Sequence, residues 1–388
     1  MKPRNQHSHF YQTGFSLVEL LVGLVIGLLA TLVIMQVFSI FEGQKRTTTG
    51  VADAQTNGSI ALYTLARDLQ IAGFDLQPAG VATTADSPFE CATLNINPAT
   101  GFDPANPANP VSDTPAAGYN PVNPVSDTKV ISPAVITDGS TLIPASPSDT
   151  ITLHYGSSDF GGVSSVIRGV PVGNNVSPTT SFGCQPFDVA LIFNGSACDL
   201  VGVAQNGVTP AAITLKTLTP NAVDGANFSC LGAWREVTYK VNNNNLERNG
   251  VQIISNIVNI QAQYGISAVS SSNQIVQWVD ATGVTWAASS VANRNRIKSI
   301  RVAIVARNGL LEKEDVSTDC TDLTSNNPIG VCAWSATSLK PANPSPAPHV
   351  DLSKNADGSN NPDWARYRYR VFETVIPLRN VVWAQSTL

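Results

Sequence analysis

Charged residues are scarce in this chain of 388 residues, because Asp, Glu, Lys and Arg together make up 13% of it. Acidic residues outnumber basic ones by 28 to 23, so the composition offers no general electrostatic surface for nucleic acid. No C-x-x-C, G-x-S-x-G or H-E-x-x-H motif occurs, and the histidines beyond residue 9 are His154 and His349. We therefore expect no enzyme activity, no cofactor, no metal site and no nucleic-acid partner.

One long apolar run, from Phe15 to Phe41, contains Glu19 as its single ionisable side chain. A helix of this length extends about 40 Å at about 1.5 Å per residue, which exceeds a hydrocarbon core of about 30 Å. Lys2 and Arg4 precede the run, and we expect them to hold the amino terminus in the cytoplasm. A carboxylate in such a helix costs about 2.5 kcal/mol or more unless it is paired, so Glu19 is a functional candidate.

The residues from Gly14 to Glu19 read G-F-S-L-V-E, and no small-residue cleavage site follows the apolar run. At these positions the chain resembles the type IV prepilins. The resemblance implies leader cleavage between Gly14 and Phe15 by a prepilin peptidase, methylation of the Phe15 amine, and pairing of Glu19 with a neighbouring subunit's amino terminus. A signal anchor with an incidental glutamate is the alternative. Gly23 and Gly27 form a G-x-x-x-G pair, which marks close helix packing or arises by chance.

Apolar residues at helical spacing continue beyond the membrane span, and Gly73 follows them where a C-cap glycine belongs. The stripe consists of Val51, Ala54, Gly58, Leu62, Leu65, Leu69 and Ala72. This pattern predicts that the helix continues with one face packed under a globular head.

Five segments resemble the PilW group of minor pilins, which is itself similar to the J-type minor pseudopilins of type II secretion. They are residues 62–74, a strand-turn-strand over 235–250, strands at 257–265 and 297–308, and the ending 366–380. The resemblance implies a minor pilin that helps to initiate pilus assembly and lies at or near the pilus tip. Its implied partners are other minor pilins, the major pilin, the inner-membrane assembly platform and, as a further candidate, a tip adhesin. The alternatives are a J-type pseudopilin and a tip-located adhesin.

We expect an α+β fold in which a long N-terminal helix packs on an antiparallel β-sheet head, as in type IV pilins. The predicted parts are a leader (1–14), a transmembrane helix (15–41), its amphipathic continuation (42–73) and a periplasmic head (74–388). Alternation predicts a strand over 150–155, and the apolar run 302–306 predicts a strand buried on both faces. The expected location is the inner membrane, with a single pass, and then the pilus at the cell surface.

Two segments of the head are expected to be insertions. Residues 97–149 hold ten prolines, and the hexapeptide N-P-V-S-D-T occurs at 109–114 and again at 123–128. We interpret this segment as a surface excursion, with a binding loop as the alternative. Residues 341–362 include Asp351, Ser353, Asn355 and Asp357 at alternate positions, which raises a calcium interpretation, but the glycine and glutamate of an EF-hand loop are misplaced.

All six cysteines lie on the exported side, where an oxidising compartment makes disulfides the default. They are Cys91, Cys184, Cys198, Cys230, Cys320 and Cys332. Fifteen pairings are possible. The two shortest gaps suggest Cys184 with Cys198 and Cys320 with Cys332, which leaves Cys91 with Cys230.

Two rows of basic residues would each share one face of a predicted strand. One row is Arg366, Arg368 and Arg370, and the other is Arg294, Arg296 and Lys298. Each is either a solvated charge row or a contact for an acidic minor-pilin neighbour.

Overall fold

The computed structural model describes residues 14, 16–76, 88–96, 131–139, 147–160, 162–209, 212–286, 291–320, 330–334 and 350–384. Phe15, His349 and most of the insertion at 97–149 lie outside the described residues, as do residues 341–349 of the second insertion. The chain divides into two compact units, Met1–Ala52 and Asp53–Leu388.

A single long helix, α1, runs over Leu17–Ile71. It contains a stretch that is long and apolar enough to cross a membrane, with no side chain of that stretch buried. The helix ends at Ile71, and Gly73 follows with φ at 77°, a left-handed conformation that glycine adopts without a steric penalty. The predicted helix end is therefore confirmed.

Sixteen strands and three short helices make up the remaining regular structure of the described residues. The strands are β1 (Thr93–Ile96), β2 (Ala134–Thr137), β3 (Thr150–Tyr155), β4 (Ser164–Val166), β5 (Asn175–Val176), β6 (Val189–Asn194), β7 (Ala197–Val208), β8 (Ile213–Leu215), β9 (Asn227–Cys230), β10 (Arg235–Asn242), β11 (Asn245–Arg248), β12 (Val251–Ser255), β13 (Ile257–Ser267), β14 (Ile275–Val279), β15 (Ile297–Arg307) and β16 (Tyr369–Pro377). The helices are α2 (Gly283–Trp286), α3 (Val291–Arg294) and α4 (Arg379–Trp383), and single 3-10 turns occur at Pro88–Glu90 and Trp364–Arg366.

The strands form three sheets in the described part of the chain. One has the order β4-β9-β6-β7-β8-β5, with β1 added beside β7. The second has the order β12-β11-β10-β3-β2, and the third has the order β14-β13-β15-β16. Every described pair is antiparallel except β1 with β7. The long helix and these sheets give the expected α+β fold.

Several predicted strands are confirmed. The alternating segment 150–155 is β3, and the predicted strand-turn-strand is the β10–β11 hairpin. Its turn residues Asn243 and Asn244 have φ of 47° and 60°, values that asparagine tolerates better than most residues. The run 302–306 lies in β15, whose Ile304 packs in the main core while its neighbour Val305 packs in a second cluster on the opposite face.

The main core joins the head portion of α1 to residues of all three sheets. Its helix members are the buried Ala54, Ala61, Leu65, Leu69 and Ala72, and Leu62 packs against them from a half-buried position. The predicted stripe is therefore confirmed, with Ala61 added to it. Burial of this stripe removes apolar surface from water at about 25 cal/mol per Å² and so attaches the helix to the head.

A close contact between Gly58 of α1 and Phe372 of β16 shows how tightly the helix lies on the third sheet. A Cβ atom at Gly58 would overlap the ring of Phe372. Glycine is a poor helix former, so its presence in the middle of α1 costs about 1 kcal/mol relative to alanine. The ring contact is the physical reason for a glycine here.

We expect Gly58→Ala to destabilise the full chain by about 1 to 3 kcal/mol, because the ring must move out of its place in the core. Denaturant unfolding in detergent measures the change. Gly43→Ala is the control, since no atom lies within 4 Å of a Cβ at that helical position. Combining Gly58→Ala with Phe372→Ala should cost less than the sum of the two single changes. Strict additivity would contradict the proposed overlap.

Candidate functional site: the junction of helix and head

Glu19 caps the start of its own helix. The backbone N–H of Ser16 donates to Glu19 Oε2 at 3.2 Å, and the backbone N–H of Glu19 donates to Ser16 Oγ at 3.2 Å. This reciprocal pair is a capping box, a pattern that the sequence contains but that we did not predict. Gly14 lies just before it and is exposed. The carboxylate of Glu19 is thus directed toward the amino-terminal end of the helix.

A buried ionic contact joins α1 to the second sheet. Asp68 of α1 accepts a hydrogen bond from Tyr239 Oη at 2.6 Å and one from Arg248 Nε at 3.0 Å. Tyr239 lies in β10 and Arg248 is its partner in β11, so one carboxylate contacts both strands of the hairpin. Burial raises the pKa of Tyr239 well above its ordinary value, and its hydrogen bond to Asp68 raises it further, so its hydroxyl remains a donor.

This network could not be predicted from spacing alone, because 171 residues separate Asp68 from Tyr239. The available clue was a carboxylate one residue before the apolar Leu69, on the face of the helix that the stripe buries. A buried carboxylate requires a partner, since an unpaired charge in the protein interior costs several kcal/mol.

The residues that contact Asp68 and Gly58 of α1 lie in one stretch of the chain. The model of the family described as PilW, type IV pilus-assembly protein W, matches residues 233–380. Over this stretch the chain is similar to the PilW family. It includes Tyr239, Arg248 and Phe372, which contact the helix at Asp68 and Gly58. No curated protein and no solved structure matches the chain.

The match to the PilW family indicates a role in type IV pilus assembly, which involves contact with other pilus components. It points to a structural protein rather than to an enzyme. His154 agrees with a structural interpretation, because its buried ring stacks on Trp234 at 5.7 Å and its Nδ1 lies 2.8 Å from the Ser132 carbonyl. Together with the long apolar helix, the family indicates a membrane-anchored pilus protein.

The structure does not form the first arginine row of the PilW stretch. Arg366 closes a 3-10 turn and Arg368 precedes β16, so of the three only Arg370 lies in the strand. The predicted shared face was therefore wrong, because alternation places residues on one face only in extended backbone. Arg366 donates to the Glu312 carbonyl at 2.9 Å, and Arg368 pairs with the Glu312 carboxylate at 3.0 Å. Arg370 is exposed, and a partner contact there stays a prediction.

The second basic row was also wrong, because β15 begins only at Ile297. Arg294 ends α3 and is buried, donating to the carbonyls of Ile131 and Cys91 at 2.8 Å each. Lys298 is buried as well and donates to the Ser270 carbonyl at 2.7 Å. Burial lowers the pKa of Arg294 to about 10 and that of Lys298 to about 8. These two side chains hold the head together from inside.

Two of the three suggested cysteine pairs were wrong. Cys320 bonds to Cys332 as predicted, but Cys91 bonds to Cys198 and Cys184 bonds to Cys230. The reason is strand register. Parallel pairing of β1 with β7 sets Leu94 beside Cys198, and antiparallel pairing of β6 with β9 sets Ala190 beside Cys230. Short sequence gaps carry no information about such pairings.

The calcium interpretation of the second insertion gains no support from its described part. Asp351 Oδ1 accepts bonds from the backbone N–H and the hydroxyl of Ser353. Asp357 Oδ1 does the same with Ser359. Each carboxylate therefore closes a local turn, which is a common use of aspartate in loops.

Three carboxylates, Asp75, Asp159 and Asp188, lie close together just past the end of α1, and we call them the acidic cluster. Asp75 is completely buried, and its Oδ2 accepts a 2.6 Å bond from the Ser158 N–H. The pKa of Asp75 is raised to about 7, chiefly by burial and in smaller part by the charges of Asp188 and Asp159. Burial likewise raises the pKa of Asp188 to about 6, with Asp159 adding to the effect. We did not predict this cluster, because its members are distant in sequence.

We expect Asp68→Ala to lower the free energy of unfolding by about 1.5 to 3 kcal/mol, because Tyr239 and Arg248 each lose a hydrogen bond to a charged group. Denaturant unfolding of the full chain in detergent tests this. Arg67→Ala is a matched control: Arg67 Nη2 also lies 3.4 Å from Asp68, but its side chain is 65% exposed, so its loss should cost less than about 0.5 kcal/mol. If the two variants lowered the free energy of unfolding equally, the result would contradict a special role for the buried contacts.

The acidic cluster predicts an unusual pH dependence. Folded Asp75 holds its proton up to about pH 7, whereas the unfolded chain releases it near pH 3.8, so the folded state binds more protons between these values. Its stabilising contribution is complete below about pH 4 and is lost as the pH rises through 7. Asp75→Asn should therefore flatten the decline of the thermal midpoint between pH 4 and pH 8.

Asp149, whose pKa burial raises to about 8, also makes the thermal midpoint fall as the pH rises. The comparison of these pH dependences therefore needs a control. Asp315→Asn changes an exposed carboxylate and should leave the slope of the natural chain intact. An unchanged slope in Asp75→Asn would show that this carboxyl is ionised in the folded state across the whole range.

Proposed function

We propose that this protein is a minor pilin that helps to initiate type IV pilus assembly and is incorporated at or near the pilus tip. The observation that carries the proposal is the PilW-family match over residues 233–380. The described contacts support it, because they attach the matched stretch to the head portion of α1, and α1 also contains a segment long and apolar enough to cross a membrane. The protein acts through helix–helix and head–head contacts rather than through chemistry.

In this proposal the prepilin peptidase removes the leader after Gly14 and methylates the amine of Phe15. The amino terminus begins in the cytoplasm and the head lies in the periplasm, as Lys2 and Arg4 indicate. Glu19 then pairs with the amino terminus of a neighbouring subunit. The capping geometry supports this role, because the carboxylate already points toward the start of the helix.

The exposed surface of the apolar span is available for helix contacts with the major pilin and the other minor pilins. A Cβ atom at Gly23 or Gly27 would meet no atom within 4 Å, so no contact inside the described chain accounts for these glycines. Small residues at this spacing allow helix backbones to approach closely in a membrane. This supports a neighbouring helix as their partner. The assembly platform would act on this same span.

The test is pilus number in a strain that lacks the gene, scored together with attachment of any pili that remain. Few or no pili, restored by the natural gene, is the expected result. Normal pilus numbers with lost attachment would favour the tip adhesin instead. Normal pili together with a secretion defect would favour the J-type pseudopilin.

In the same strain we expect Glu19→Ala to be inserted and processed normally but to restore pili poorly, since a partner's amino-terminal charge is left unpaired in a low-dielectric environment. Glu19→Asp, which keeps the carboxylate, is the control and should restore pili at least in part. Intact mass of the membrane fraction checks processing, and electron microscopy counts pili. Full piliation with Glu19→Ala would refute the charge pair.

A further inference from the structure

The acidic cluster lacks a counter-charge. Among the described residues, no basic side chain forms an ion pair with Asp75, Asp159 or Asp188. The other ionisable groups that act on these carboxyls are the carboxyls themselves. Carboxylates held close together without a cation repel one another when they are ionised, so the arrangement favours a positive partner.

Asp75 provides a second and independent observation. Its side chain is completely buried, its Oδ2 is bonded to the Ser158 N–H, and its Oδ1 has no hydrogen-bond partner in the described structure. Its φ of 67° lies in the left-handed region, which few residues other than glycine, asparagine and aspartate adopt. A Cβ at Gly156 would press on Asp75 Oδ2, so the chain has a glycine where this carboxylate is held. An unpaired buried oxygen under two further carboxylates is costly unless a cation lies nearby.

Two exposed aromatic rings lie in the chain segments that carry the outer carboxylates. Phe160 follows Asp159 directly, and its ring meets Phe182 edge to face at 4.6 Å. The two rings are 45% and 59% exposed, which is unusual for phenylalanine. The disulfide between Cys184 and Cys230 anchors the loop that carries Phe182 and Asp188. Both rings are therefore accessible to solvent, and Phe182 lies in a loop that a disulfide holds in place.

We propose that Asp159, Phe160, Phe182 and Asp188, which we call the acidic–aromatic patch, bind a lysine- or arginine-bearing segment of another pilus protein. The inference rests on the proposed function, since it names the chemistry of one head contact made during assembly. The cation of the segment lies against the two carboxylates, and the phenylalanine rings pack on its aliphatic stem and contribute cation–π attraction.

Charge and geometry favour this occupant over the alternatives. No three His, Cys, Asp or Glu side chains of the described residues are placed to hold a metal ion. A second copy of this chain brings a formal net charge of −5, which is of the wrong sign. A proton neutralises Asp75 but leaves two exposed rings without a partner. A basic segment satisfies both the carboxylates and the rings.

Site-specific photocrosslinking in piliated cells tests the proposal. Benzoylphenylalanine replaces Val163, which is exposed in the same loop as Phe160, and adduct peptides are sequenced by mass spectrometry. The expected adduct joins position 163 to a segment of another pilus protein that contains lysine or arginine. Asp159→Asn with Asp188→Asn should reduce its yield at least tenfold. An adduct with a second copy or with lipid, or no adduct, would overturn the proposal.

Glu314→Gln with Asp315→Asn is the matched control, because it neutralises two exposed carboxylates elsewhere and should leave the yield unchanged. If the patch variant fails to fold, Phe182→Gln at an exposed position replaces it and should also lower the yield. An adduct that neither variant reduces would refute the proposal. Calorimetry of the detergent-solubilised chain with calcium chloride tests for a metal site. Saturable calcium binding that the patch variant abolishes would assign the patch to a metal and overturn the proposal.

Failure of this inference is distinguishable from failure of the proposed function. If loss of the gene abolishes pili but no charge-dependent adduct forms at position 163, only the patch assignment fails. If loss of the gene leaves pili unaffected, the initiating role fails whatever the adduct.

Discussion

Burial of one face of α1 against the second and third sheets is the interaction on which the head depends. The apolar stripe supplies most of the favourable free energy, because it removes the side chains of Ala61, Leu65 and Leu69 from water. Such burial has no preferred direction, so it does not by itself decide where the helix lies. The hydrogen bonds of Asp68 are directional, so they restrict the helix to positions in which its carboxylate reaches both Tyr239 and Arg248. Together the stripe and the carboxylate fix the position of the helix on the sheets.

The surfaces of α1 and the third sheet also have complementary shapes. Gly58 leaves room for the ring of Phe372. Farther along, Asn380 donates to the Ala72 carbonyl at 2.9 Å, which satisfies a backbone acceptor at the end of the helix. These contacts tie the PilW stretch to α1 at both ends of its buried face.

The electrostatics of the head follow from its low content of charge. Basic side chains such as Arg294 and Arg301 are buried in the head. Arg294 donates hydrogen bonds to backbone carbonyls. Arg301 donates to Gln263 at 2.8 Å and lies between the rings of Trp278 and Trp334. This internal use leaves the acidic cluster without a cation in the described structure. In the described part of the chain, a group of carboxyls without a basic partner thus lies just past the end of α1, in segments that also carry two exposed rings.

The sequence by itself determined the elements that depend on local pattern. Helical periodicity and Gly73 defined where α1 ends, alternation defined β3, and an apolar run defined the doubly buried β15. The consecutive asparagines marked the β10–β11 turn, because left-handed backbone favours them. The Cys320–Cys332 pair, only 12 residues apart, also followed from the sequence.

Only the tertiary structure decided features that join distant residues. The meeting of β1 with β7 and of β6 with β9 brought Cys91 near Cys198 and Cys184 near Cys230, and a 3-10 turn broke the arginine row that alternation had suggested. The partners of Asp68 and the convergence of the acidic cluster depend on which loops and strands meet. Local pattern reports the periodicity of the backbone, whereas contacts between distant segments depend on how the whole chain packs its apolar faces, and a single sequence does not display that packing.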